Sequence, residues 1–176
     1  MSSAIELELP ARREALKLLK AGQEVRLFGP IYTLRDAGHQ RTLDHLKQHG
    51  ELPFGLQGQA LFYAGPTPPA AQRPLGAVGP TTASRMDFAT PALLAAGIVA
   101  TLGKGTRSLE VVQACQQTGS VYFAAVGGAA AYLATFVTQA ELIAWEDLGT
   151  EALRKLELNG LPAFVAIDTN GGVLVV

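Results

Sequence analysis

Glycine and proline cut this chain into short apolar runs, and that punctuation constrains the fold more than any other feature. Nineteen glycines and ten prolines are spread through 176 residues. Such breaks exclude long bundle helices and favour short strands and helices in alternation. The longest stretch without a charge, Val111 to Ala140, is itself split at Gly127-Gly128. A membrane-spanning helix needs about 20 continuous apolar residues, so a buried strand followed by a helix is expected there.

The order of elements follows from the spacing. Ile5, Leu7 and Leu9 alternate with Glu6 and Glu8, the period of an edge strand. Pro10 opens a short helix that Gly22 ends. Glu24–Phe28 reads as a strand running into Gly29-Pro30-Ile31-Tyr32-Thr33. Arg35–His49 has helical spacing and a Gly50 stop. Ala60–Ala64 is an apolar strand. Gly65–Pro80 holds five of the ten prolines and is a loop. Thr90-Pro91 starts a helix expected to reach about Ala100. Ser108 caps a helix to Gln117, with Gly119 beyond its end. Val121–Val126 is a strand, Gly128–Val137 a helix, and Leu142–Trp145 and Arg154–Leu158 are strands. Ala163–Ile167 and Val173–Val176 flank the turn Asp168-Thr169-Asn170-Gly171-Gly172. The interleaving gives an α/β fold in one compact domain over 1–176, with 1–23 as an appended strand and helix.

Composition narrows the function. One cysteine excludes an internal disulfide framework and a self-sufficient thiolate cluster site. A net charge of −1 argues against a general nucleic-acid or anionic-membrane binder. The first twenty residues contain Glu6, Glu8, Arg12, Arg13 and Glu14, which no signal-peptide core tolerates; a reducing cytoplasm is the expected location. Charged residues make up 16%, against an average of about 25%. A surface this poor in charge belongs to a very compact domain or to one partly covered by a partner.

The charges that remain are unevenly placed. From Leu52 to Leu109 the cations are Arg73, Arg85, Lys104 and Arg107, and the only acid is Asp87, so the window is +3. Arg85 and Lys104 flank an apolar stretch and sit beside segments rich in glycine and threonine. Exposed backbone amides next to cations favour anions. Gly79-Pro80-Thr81-Thr82-Ala83-Ser84-Arg85-Met86-Asp87 has the makings of a carboxylate or phosphate cradle. Gly103-Lys104-Gly105-Thr106 is not a nucleotide phosphate loop, because Ile98 stands where its first glycine belongs. His45 and His49 are spaced by one helical turn, but Leu46 follows where a metalloprotease has glutamate; they read as surface residues. Cys115 reads as a buried small hydrophobe. Trp145, Tyr122 and Tyr132 read as core, and Tyr32 and Tyr63 as core or as support for the candidate site.

Five segments together resemble a known family. Ile31-Tyr32-Thr33-Leu34-Arg35-Asp36-Ala37-Gly38-His39 resembles its IYTxRDxxH segment, and Tyr63-Ala64-Gly65-Pro66 its YxGP strand end. Gly79–Asp87 resembles GPTTxxRMD, Gly103-Lys104-Gly105 resembles GKG, and Gly127-Gly128-Ala129-Ala130 resembles GGAAA. The set is similar to the β subunit, or C-terminal domain, of iron–sulfur-dependent class I fumarate hydratases and L-tartrate dehydratases. Gly38 and Ser84 depart from the commonest residues of that pattern without removing a charge.

The resemblance implies a swivelling β/β/α domain and reversible hydration of a small dicarboxylate, most simply fumarate to (S)-malate. It implies a 4Fe–4S cluster ligated by an α subunit and not by this chain, in a hetero-oligomer of α2β2 form. It implies substrate binding by Arg35, Thr81, Thr82, Arg85 and Lys104, and proton transfer by Thr81. Asp36 and His39 would orient Arg35 or serve the interface. The alternatives are an L-tartrate dehydratase β subunit, or a non-catalytic binding and assembly module.

Overall fold

The computed structural model describes residues 4–69 and 71–174. Strand β1 (Ile5–Glu8) lies parallel to β2 (Glu24–Thr33), with the short helix α1 (Arg13–Leu16) between them. Helix α2 (Asp36–His49) leads to β3 (Ala60–Phe62), and helix α3 (Thr90–Ala95) precedes β4 (Ala100–Gly103). Helix α4 (Leu109–Thr118) leads to β5 (Val121–Ala124), and helix α5 (Ala130–Ala134) to β6 (Val137–Ala144). The last strand, β7, runs from Leu153 to Ile167.

Strands β2, β3, β4 and β5 are parallel neighbours in that order. β7 returns antiparallel, pairing with β5 near its end and with β2 from Glu24 to Thr33. Five strands thereby close into a ring, and β1 and β6 are added as edges.

Alternation gives the ring two faces. Inside lie Val25, Leu27, Ile31, Phe62, Leu102, Phe123, Leu156, Leu158, Leu161 and Val165, with Leu7, Leu9, Leu16 and Leu19 of the N-terminal segment joining the same cluster. Outside, Leu61, Tyr63, Tyr122 and Ile167 pack beneath Leu43 of α2, Leu93 and Leu94 of α3, and Val111 and Cys115 of α4. A bulge between Leu27 and Phe28 shifts the β2–β7 register, and Leu158 and Leu161 both stay in the inner cluster across it.

Several boundaries differ from the sequence expectation. The helix from Thr90 ends at Ala95, because Gly97 adopts φ 121°, and Ala100–Gly103 is a strand. The strand from Glu24 continues to Thr33, where Ile31, Tyr32 and Thr33 find partners in β3 and β7. The helices expected after Pro10 and after Gly128 are shorter, and Val137 already belongs to β6. Arg154–Leu158 and Ala163–Ile167 are parts of one strand. Beyond the turn, Val173 forms a single bridge to Ile167, and residues 175–176 lie outside the described residues. The Ser108 cap and the Gly50 and Gly119 stops are found as expected; Ser108 Oγ accepts from the Val111 amide at 3.4 Å, and both glycines are left-handed. No helix among the described residues is long and apolar enough to cross a membrane.

Phe123 fills the ring interior and is 1% exposed. Phe123→Ala is expected to destabilise the domain by about 3–5 kcal/mol, read as a lower urea midpoint; a loss below 1 kcal/mol would mean that the interior collapses around the gap.

Candidate functional site

The four parallel strands deliver their C-terminal ends to one rim. Arg35 follows β2, Gly65-Pro66 follows β3, Lys104 follows β4, and Gly127-Gly128 comes after β5. In α/β sheets the carboxyl ends of parallel strands are where ligands bind. The resemblance segments are these strand ends plus the loop of Thr81 and Arg85.

Backbone hydrogen bonds stitch that loop into the rim. The Thr81 amide donates to the Tyr63 carbonyl at 2.6 Å, and the Lys104 amide donates to the Thr81 carbonyl at 3.1 Å. The Ala83 amide donates to the Lys104 carbonyl at 2.8 Å, so Thr82 and Lys104 form a parallel bridge. Two hydroxyl-bearing residues and a lysine, far apart in sequence, are thus held side by side. The approach requires glycine. A Cβ at Gly103 would lie 2.9 Å from the Tyr63 ring and 3.0 Å from the Ala83 Cβ. At Gly65 it would lie 2.7 Å from Arg35 Nη1. At Gly127 a Cβ would meet the Lys104 side chain only at ordinary contact distance, 3.4 Å, so this position lies beside Lys104 without requiring glycine.

The cations differ in their partners. Arg85 forms a two-pronged pair with Asp36, Nε to Oδ1 at 3.1 Å and Nη2 to Oδ2 at 2.7 Å, and its side chain is 50% exposed. Asp36 therefore pairs with Arg85 and not with Arg35, the first of the two roles expected for it. Arg35 faces Glu151, with Nε 3.7 Å from Oε1, and Glu151 Oε2 accepts from the Ala37 amide at 2.9 Å. Arg35 Nε is buried and has no hydrogen-bond partner among the described residues. Lys104 has no acidic partner within 4.0 Å among the described residues.

His39 is fully buried one helical turn into α2. Its Nδ1 lies 2.8 Å from the Arg35 carbonyl, which its own amide also reaches at 2.7 Å. A carbonyl only accepts, so Nδ1 carries the proton and Nε2 is left as a lone pair without a partner. Burial lowers the imidazole pKa from 6.5 to about 4; the bond to the Arg35 carbonyl opposes this, and the nearby Arg107 charge adds to it. His39 thus braces the backbone of Arg35, not its guanidinium.

Two residues of the cluster were not singled out by the sequence. Glu151 comes from a 3-10 turn (Glu146–Glu151) after β6. Arg107 counted only as a loop cation, yet its side chain is 0% exposed and ion-paired to Asp87 at 2.7 Å. The signal was present: Asp87 closes the GPTTxxRMD-like segment, and an acid there needs a partner.

The remaining candidates lie elsewhere. His45 and His49 stack at 4.3 Å on the outer face of α2. Cys115 is buried in α4, and burial pushes its thiol up to about 11, which disfavours the thiolate. No group of three or more His, Cys, Asp or Glu side chains converges as a metal site among the described residues. Tyr122 and Tyr63 are core residues, whereas Tyr132 is 57% exposed against expectation, since α5 is too short to bury its outer face.

The rim gathers guanidinium groups, an ammonium and hydroxyls at the ends of parallel strands of a closed α/β ring. The chain belongs to the family described as the Fumarase C-terminus, whose model matches residues 1–175. It is 34% identical over 171 residues to the anaerobic class I fumarate hydratase of Escherichia coli (strain K12), covering 95% of this chain and 31% of that protein. It is 37% identical over 147 residues to the mitochondrial fumarate hydratase 1 of Leishmania major, covering 82% of this chain and 27% of that protein. It is 36% identical over 165 residues to a putative L(+)-tartrate dehydratase subunit beta of Methanocaldococcus jannaschii, covering 90% of this chain and 85% of that protein. The chain thus spans about a third of the fumarate hydratases' length, and most of the β subunit's.

The His39 environment predicts an acid sensitivity. Below pH 6.5 the unfolded imidazole takes up a proton, while the folded one does not until about pH 4. The unfolded state binds more protons, so stability falls with pH across that window, by about 3 kcal/mol at its end. His39→Gln is expected to lose less stability than the wild type between pH 7 and pH 4.5, measured by urea unfolding; identical losses would count against it.

Proposed function

We propose that this chain is the β-type part of a hydro-lyase that adds water reversibly to a small dicarboxylate, with fumarate and (S)-malate as the substrate pair. The observation that carries the reading is the convergence of Arg35, Thr81, Thr82, Arg85 and Lys104 on one rim of the ring. The family's hydro-lyases give the chemical context.

A dicarboxylate presents two anionic ends. Arg85, pre-oriented by Asp36 and half exposed, offers a planar fork to one carboxylate. Arg35 and Lys104 supply further positive charge, Lys104 as a point charge beside the threonines. When the carbon next to a carboxylate loses its proton, charge develops on that carboxylate, and cations fixed in advance stabilise it. Thr81 is the residue assigned to hold or move that proton. A threonine hydroxyl is a weak base, so this role needs an activating neighbour; the Thr81 backbone is bonded to that of Lys104.

The second half of the site comes from a cysteine-bearing α partner, in an α2β2 arrangement. Cys115 is unsuited to ligation because it is buried in a helix with a raised thiol pKa. A 4Fe–4S cluster would therefore take its thiolates from the α part. When bound it supplies a Lewis acid for the departing or entering hydroxyl. Against that cluster the β-type chain acts as a swivelling domain in a reducing cytoplasm.

A second substrate has its own support. The β subunit from Methanocaldococcus jannaschii is matched over 85% of its length, and it is described as part of an L(+)-tartrate dehydratase. Tartrate keeps both carboxylates and adds one hydroxyl.

Anaerobic assay of the chain reconstituted with its α partner, on fumarate, malate and tartrate, tests the reading. The isolated chain is expected to be inactive, and turnover by it alone would overturn the two-part arrangement. Arg85→Ala in the complex is expected to lower kcat/KM by about 10²–10³; unchanged kinetics would favour a binding and assembly module.

A further inference from the structure

We propose that the buried Asp87–Arg107 pair is the positioning element of this rim, locking the Lys104 loop to the Thr81–Arg85 segment. This deepens the reading above and rests on it for its kinetic test only. Asp87 lies two residues beyond Arg85, and Arg107 three beyond Lys104. The near ends of these two segments are joined by the Thr81–Lys104 and Lys104–Ala83 backbone bonds. The pair joins their far ends, so the two segments are held as a closed frame.

The contacts leave Arg107 little freedom. Its Nε donates to Asp87 Oδ1 at 2.7 Å, while Asp87 Oδ2 accepts from the Ser108 amide at 2.7 Å. Its Nη2 donates to Thr90 Oγ1 at 2.7 Å and to the Tyr63 hydroxyl at 3.3 Å, and its Nη1 donates to Thr101 Oγ1 at 3.3 Å. The guanidinium lies 4.8 Å from the Tyr122 ring centre and 5.1 Å from that of Tyr63. Tyr122 in turn donates to the Gly105 carbonyl at 2.9 Å, inside the Lys104 loop. One guanidinium thus ties Tyr63 (just after β3), β4, α3 and the two site segments together. With no exposed side-chain surface it does not touch a substrate, so any effect on substrate passes through Lys104, Thr81 and Arg85. Buried ion pairs are weak stabilisers compared with apolar packing; what a fork in fixed contacts supplies is geometry.

Amide exchange in the full-length chain is the direct test, with Asp87→Asn and Arg107→Lys, and Thr90→Val as the milder variant. The amides of Ala83 and Lys104 are expected to exchange faster by about 10-fold or more. Those of Leu9 and Val165, on the far strands, should keep their wild-type rates. Unchanged exchange at Ala83 and Lys104 would overturn the proposal, as would equal acceleration at all four amides, which marks a general core pair. In the reconstituted complex the same variants should raise KM for the dicarboxylate by about 10-fold. A lower yield of active complex with unchanged KM would mean a merely structural role. If the wild-type complex turns over none of fumarate, malate and tartrate, the hydro-lyase reading fails, and the clamp stands or falls on exchange alone.

Discussion

The antiparallel pairing of β2 with β7 is the contact on which the rest depends. It runs from Glu24–Phe164 to Thr33–Arg154, and it turns a row of short parallel strands into a ring. β3, β4 and β5 have only three or four residues each. Strands that short gain little from ladder bonds alone; closure gives their inward side chains a common interior and removes open edges. It also fixes direction. Because β2 to β5 all point one way, their C-terminal loops are gathered on one rim, and loops held at the ends of packed strands place side chains more accurately than free loops do.

On that rim the protein distributes a scarce resource, charge, by burial. Arg107 is enclosed and donates four hydrogen bonds to the protein. Arg85 keeps half its surface in solvent while Asp36 fixes its plane. Lys104 is placed by its backbone and has no acidic partner within 4.0 Å among the described residues. The same residue type therefore does two different jobs within one short stretch of chain. In the proposed site the enclosed arginine supplies rigid geometry and the half-exposed one the charge offered to an anion.

Local signals were legible and distant ones were not. The Ser108 cap and the left-handed Gly50 and Gly119 show directly as residue types at helix ends. Ala100–Gly103 does not announce itself as a strand, because Thr101 is its one β-branched residue and the segment follows directly on an apolar helical run; Gly97 is the local break. The unity of β7 was hidden by Gly160 and Pro162, which punctuate it without ending it, since β2 holds the strand on both sides of them. The site segments were legible by resemblance, but their connections were not. Asp36 meets Arg85 across 49 positions and Arg107 meets Asp87 across 20, and no periodicity reports such pairs.

The exposure of the rim gives the two-part reading its physical basis. Thr82, Ser84, Gly127 and Gly128 are exposed around the cations, and so are the apolar Phe88 and Val126, at 52% and 64%. A site that must shield developing charge from water cannot work as an open edge, because water weakens each of its electrostatic contacts. In the hydro-lyase proposed above, a second part covers it. The same module matches nearly a whole β subunit in one relative and about a third of longer fumarate hydratases in others. A fused and a separate covering part are equivalent solutions to one requirement, provided that the rim is rigid before the cover arrives. The enclosed Asp87–Arg107 frame is the feature of this chain that makes such rigidity independent of the cover.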